Sequence, residues 1–212
     1  MKFNTRIIYR LLCLIIGLTV HATGSSILRE AQLGVDPFTS FTLGLSSTFH
    51  IELGLIHILV NGFFLLFVFL KRRSDIGVGT ILGMVSTGFL IQYISPLLKP
   101  LHLSQNLWVM GLALIIGVAM FSLGTSFEML SDLGKSPYDS VAPIVADNRH
   151  IRYRYVRLTQ DIIVAILAFF LHGPIGIGTL VCATCNGIFI STWRRLLKKT
   201  YLYQKHIAPH TK

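Results

Sequence analysis

Residues 76–98 and 107–127 contain no Asp, Glu, Lys or Arg, and each run is long enough to cross the hydrocarbon of a bilayer as a helix, which takes roughly 17 to 25 apolar residues. A backbone surrounded by lipid must satisfy every N–H and C=O internally, so only helices or a closed barrel fit such runs. Ile7–Ile27, with Arg10 near its start, and the shorter Gly54–Leu70 read the same way. Leu158–Leu171 and Gly176–Trp193, separated by His172-Gly173-Pro174, bring the expected spans to six. Composition agrees, with 52% hydrophobic and 13% charged residues against about 25% charged in soluble domains. Lys2, Arg6 and Arg10 before the first run and Val20-His21-Ala22 after it have the outline of a cleavable leader. That run is instead expected to stay, because Leu107–Phe127 repeats it in mid-chain.

The repeat extends well beyond that run. Ile15-Ile16-Gly17 recurs as Ile115-Ile116-Gly117, Gly24 as Gly124, Ser26 as Ser126, Leu33-Gly34 as Leu133-Gly134, Pro37 as Pro137 and Ser40 as Ser140. After a shift of one residue, Gly77-Val78-Gly79-Thr80 matches Gly176-Ile177-Gly178-Thr179, and Gly88 matches Gly187. Residues 6–97 and 106–195 are two copies of one unit within a single integral membrane domain, 1–212, and residues 196–212 form a basic tail. Three spans per copy is an odd number, so the second copy enters the bilayer from the opposite face, an arrangement typical of secondary transporters. The expected fold is an all-α membrane protein of six transmembrane helices, built as two inverted-topology three-helix repeats.

Charge placement orients the chain. Of 19 Lys and Arg, all but Arg29 and Lys99 fall in the amino terminus, the 71–76 connection, the 128–157 connection and the carboxyl tail. The positive-inside rule then sets both termini in the cytoplasm. A nucleic-acid surface is not expected from the net charge of +10, because no aromatic and basic patch accompanies it.

Each copy holds a connection too apolar for a solvent loop, beginning Leu33-Gly34-Val35-Asp36-Pro37-Phe38 in one and Leu133-Gly134-Lys135-Ser136-Pro137-Tyr138 in the other. Proline suits the first turn of a helix, Asp or Ser before it suits the N-cap, and glycine allows the sharp turn ahead of the cap. A short helix is therefore expected after the first span of each copy, either re-entrant or interfacial. If both helices dip inward, their N-termini flank one central site. Interfacial helices that only pack explain the same residues.

Polar residues at membrane depth are costly and often functional. Asn61 is matched by Asp161, and His57 by Arg157 one turn earlier, so each pair shares a helix face. The candidate substrate-binding set is Asp36, Ser40, Asn61, Ser136, Asp139, Ser140 and Asp161, with Asp161 and His57 as candidates for proton coupling. An interhelical bond from Asn61 and an intrahelical Arg157–Asp161 pair account for the same residues structurally. His21 is expected at the interface. Gly17, Gly24, Gly79, Gly83, Gly88, Gly117, Gly124, Gly178 and Gly187 are mostly expected at close-packing positions. Cys182-Ala183-Thr184-Cys185 has a metal or redox spacing but no second ligand pair, and no hydrolase, phosphate-loop or zinc-protease motif occurs. Neither an enzyme, a metal nor a cofactor is expected.

The two turn motifs, together with Ile76-Gly77-Val78-Gly79-Thr80 and Ile175-Gly176-Ile177-Gly178-Thr179, resemble the YczE/YyaS/YitT family of bacterial integral membrane proteins, with the Asp-Pro-Phe and Ser-Pro-Tyr-Asp-Ser forms closest to its YczE branch. The resemblance spans almost the whole chain. It implies a bacterial plasma-membrane protein and brings no catalytic or ligand residues.

The leading expectation is a small transporter or facilitator of a small-molecule or ion substrate. The alternative is an accessory membrane protein or substrate-capturing subunit, a homodimer or part of a partner complex, docking through Arg194-Arg195-Leu196-Leu197-Lys198-Lys199. Membrane lipid accounts for that basic stretch as well.

Overall fold

The structure is a computed structural model that describes residues 5–199; the rest of the basic tail, 200–212, lies outside the described residues. Eight α-helices and no strand occur among these: α1 (Thr5–Glu30), α2 (Pro37–Phe49), α3 (Leu53–Lys71), α4 (Val78–Leu98), α5 (Leu107–Ser131), α6 (Pro137–Arg149), α7 (Tyr153–Phe170) and α8 (Ile177–Lys198). Four of them, α1, α3, α4 and α5, are long and apolar enough to cross a membrane, so this is a membrane protein. Of the six spans expected from sequence, these four have the length and composition of a span. α7 carries Arg154, Arg157 and Asp161 in its first half, and α8 combines Asn186 with Arg194, Arg195 and Lys198, which lowers the apolarity of both.

The two short helices share their local geometry. α2 and α6 begin at Pro37 and Pro137 and end at left-handed caps on His50 and His150, and Gln32 and Asp132 both take positive φ after the first long helix of their copy. Gly34 and Gly134 supply the left-handed turns ahead of the caps, with φ +76 and +115.

α1 and α5 form the most extensive helix pair, and glycines explain how. A Cβ on Gly17 would come within 2.9 Å of Gly124 O, and one on Gly24 within 2.7 Å of Gly117 O. The lower glycine of one helix faces the upper glycine of the other, so the two sequence-matched helices run antiparallel. Without side chains at the crossing, backbones approach closely, and packing replaces the hydrophobic drive that lipid cannot supply. Gly187 does not pack in this way: an added Cβ there would meet open space.

Each turn is anchored on the other copy. Gly178 N donates to Leu33 O and Gly79 N donates to Leu133 O, both at 2.7 Å, while Val35 N donates to Pro174 O and Lys135 N to Asp75 O. Thr80 and Thr179 brace the donating starts of α4 and α8 by accepting from Gly77 N and Gly176 N.

The outward faces of α3 and α7 are apolar, and their inward faces carry polar groups. Along α3, Leu55, Leu59, Phe63 and Leu66 are exposed, whereas His57 and Asn61 are buried. Along α7, Ile162, Ile166 and Phe170 point outward and Asp161 is buried. Polar groups turned toward protein and apolar ones turned outward are the pattern of a lipid-facing bundle.

Candidate functional site

Proline at the first turn of α2 and of α6 brings the following aromatic residue of each helix to the same place. Phe38 and Tyr138 stack with ring centroids 4.5 Å apart and an interplanar angle of 25°, so the first turns of the two helices meet. Beside this pair lies a cavity of about 420 Å³, lined among others by His21, Asp36, His57, Asn61, Glu128, Ser136, Asp139, Arg157 and Asp161.

At the α2 end, Asp36 caps its helix by accepting from Thr39 N at 3.0 Å through Oδ2. Its other oxygen, Oδ1, is sealed from solvent and has no partner. At the α6 end, Ser136 makes no cap; its hydroxyl donates weakly to Asn61 Oδ1 at 3.5 Å. His57 is 2% exposed, and neither ring nitrogen has a partner; the Phe38 edge and the close backbone of Gly88 hold it.

Arg157 links α7 to α6. Its Nε donates to Asp161 Oδ2 at 3.1 Å, and an Nη donates to Asp139 Oδ1 at 2.6 Å. Tyr138 completes the group: its hydroxyl donates to Asp161 Oδ1 at 2.6 Å, and its ring lies 5.0 Å beneath the guanidinium. Asp161 therefore has both oxygens occupied, one by a neutral donor and one by a cation.

Six of the eight residues named from sequence line this one cavity: Asp36, His57, Asn61, Ser136, Asp139 and Asp161. Ser40 and Ser140 do not. Both sit one turn past the cap, where the hydroxyl reaches backbone: Ser40 donates to Pro174 O at 2.8 Å and Ser140 to Ser136 O at 3.1 Å.

His21 corrects an expectation. It is half-buried and lines the cavity rather than lying at an interface, with Nδ1 2.9 Å from Glu128 Oε1 and its ring 4.5 Å from that of Phe121. The α1–α5 crossing carries it inward, since Gly17 and Gly24 flank it on the same helix face. That spacing was the available signal for His21, as Gly124 was for Glu128 four residues on.

The family described as "Family of unknown function (DUF6198)" matches residues 8–195. The chain belongs to this family. The chain is 25% identical over 175 residues to the uncharacterized membrane protein YczE of Bacillus subtilis, covering 82% of this chain and 80% of the relative. It is 24% identical to the uncharacterized protein YyaS of the same organism over 188 residues, 88% of this chain and 93% of the relative. An uncharacterized protein of Haemophilus influenzae is also 24% identical, over 88% of this chain and 84% of its own length. No solved structure matches this DUF6198 chain.

Proposed function

We propose that the chain is a transporter or facilitator of a small solute, working by alternating access across a bacterial plasma membrane. In this reading α1, α3 and α4 form one three-span repeat and α5, α7 and α8 an inverted second one. α2 and α6 are re-entrant helices, and both termini lie in the cytoplasm. The observation that carries it is the polar cavity at the meeting of the two sequence-matched helix N-termini, inside a bundle whose outer face is apolar. The antiparallel crossing of α1 and α5 supports the inversion, and broken or half-length helices around a mid-membrane site are how such carriers hold their substrates.

Substrate binds among Asp36, His57, Asn61, Ser136, Asp139 and Asp161. The Gly17/Gly124 and Gly24/Gly117 crossing is the fulcrum on which one repeat rocks against the other. Asp161 is the coupling carboxylate, accepting a proton when the rocking motion parts it from Arg157, and His57 is its relay. Ser40 and Ser140 keep the re-entrant turns in place. Reconstitution in proteoliposomes with a labelled-metabolite panel tests the reading: Asp161→Asn should abolish concentrative uptake while leaving the protein folded. Flux unchanged in that variant rules out coupling through Asp161, and no flux of any solute rules out the transporter.

A further inference from the structure

We infer that the cavity takes a small organic ammonium compound whose cationic nitrogen is held by Asp36. This deepens the transport reading by naming the substrate class.

The charges on the cavity wall carry the argument. Four carboxylates face it, Asp36, Glu128, Asp139 and Asp161, against at most three cations, Arg154, Arg157 and a protonated His21. Arg157 is shared by Asp139 and Asp161, and His21 is engaged by Glu128. Arg154 is exposed. Among the described residues Asp36 has no cationic side chain as partner, and its buried Oδ1 has no hydrogen bond at all. His57 has no acceptor near its ring nitrogens to stabilise a charge. The wall therefore keeps a negative surplus at the α2 end.

Helix N-termini ordinarily favour anions, but here the chain fills those positions itself. Asp36 caps α2, and Asp139 lies in the first turn of α6. A ligand anion would meet two carboxylates, while a ligand cation would complete one.

Size and chemistry select among cations. About 420 Å³ lies within the range of small organic ligands. A bare alkali ion needs a closed set of oxygen donors, which walls such as Phe38, Phe121 and Leu158 do not offer. Aromatic walls suit alkylammonium groups. The two orphaned nitrogens of His57 add one donor and one acceptor for a polar substituent such as a hydroxyl.

The test is the melting midpoint of detergent-purified full-length protein with choline, ethanolamine or ethylammonium chloride. The controls, at equal ionic strength, are the uncharged carbon isostere of choline, sodium chloride and sodium benzoate. A ligand of the folded state raises the midpoint saturably. The expected result is a rise with at least one ammonium salt and none with the isostere or benzoate. Apparent affinity should fall at least roughly thirtyfold in Asp36→Asn, the cost of removing one partner of a buried charge pair. Asn still caps a helix; should that variant not fold, the wild-type comparison of ammonium with isostere decides alone. No response to any ammonium salt, an equal response to the isostere, or a response only to benzoate overturns the inference. Flux of the bound ammonium compound into proteoliposomes separates the two readings. Binding without flux leaves the ammonium site standing and removes the transporter, whereas benzoate flux without ammonium binding does the reverse.

Discussion

Phe38 and Tyr138, one hundred positions apart in the chain, lie ring on ring at 4.5 Å. Phe38 also meets His57 edge-on, and Tyr138 bonds Asp161, so the pair ties both helix N-termini to α3 and α7.

Truncating this stack should be costly on both sides. Phe38→Ala removes a buried ring and is expected to destabilise by about 3 to 5 kcal/mol, the usual range for a large aromatic lost from a packed site. Tyr138→Phe keeps the ring and removes only the hydroxyl bond to Asp161; it should cost about 1 to 3 kcal/mol, because a buried carboxylate oxygen loses its donor. Thermal melts of the two variants in one detergent give the comparison, and a Tyr138→Phe loss equal to that of Phe38→Ala would show that stacking is not the larger part.

The glycine crossing makes a position-specific prediction. Gly17→Ala would put Cβ 2.8 Å from Glu128 N and force α1 and α5 apart, whereas Gly62→Ala and Gly111→Ala meet nothing within 4 Å. The first should lower the melting midpoint. The other two should be neutral or stabilising by up to about 1 kcal/mol, the helix-propensity difference between the two residues.

Arg157 is predicted to hold α6 to α7 through two carboxylates. Arg157→Met leaves Asp139 and Asp161 without their shared cation, and should destabilise by about 1 to 3 kcal/mol, less than a fully buried broken pair, because both pairs are part-buried. Adding Asp139→Asn should recover part of that loss, because one repelling charge is removed. Additive losses in the double variant, read from melts, would show that the two sites are not coupled.

The turn ahead of α2 depends on glycine in two ways. Gly34 has φ +76, and a Cβ there would lie 2.5 Å from Thr179 Oγ1. Gly34→Ala should therefore lower the yield of folded protein, and Gly134→Ala, at φ +115 and 2.5 Å from Thr80 Oγ1, should do the same. Size-exclusion profiles of the two variants check this; a wild-type profile for either would show that its turn tolerates rearrangement.

The short helices at Pro37 and Pro137 were readable because cap, proline and glycine are local signals, written twice. The shared faces of His57 with Asn61 and of Arg157 with Asp161 follow from a spacing of four, which any helix imposes. The His21–Glu128 contact was harder, since it joins residues 107 apart and depends on a crossing angle set by glycines. The lower apolarity of α7 and α8 has a similar origin: Arg157 and Asp161 are tolerated in α7 because partners on α6 meet them, and no pattern within α7 announces those partners. Ser40 and Ser140 show the limit of arguing from symmetry, because equal position in the repeat gave them equal standing with the caps while their hydroxyls turn to backbone.

The bonds from Gly178 N to Leu33 O and from Gly79 N to Leu133 O mean that neither copy can finish itself. The turn at Gly34 waits for the start of α8, which is made long after it, so the first half of the chain keeps an open docking point until α8 has been synthesised. The same mutual dependence would let two separately made halves find each other, so a gene cut between α4 and α5 should still yield one working protein when both pieces are expressed together.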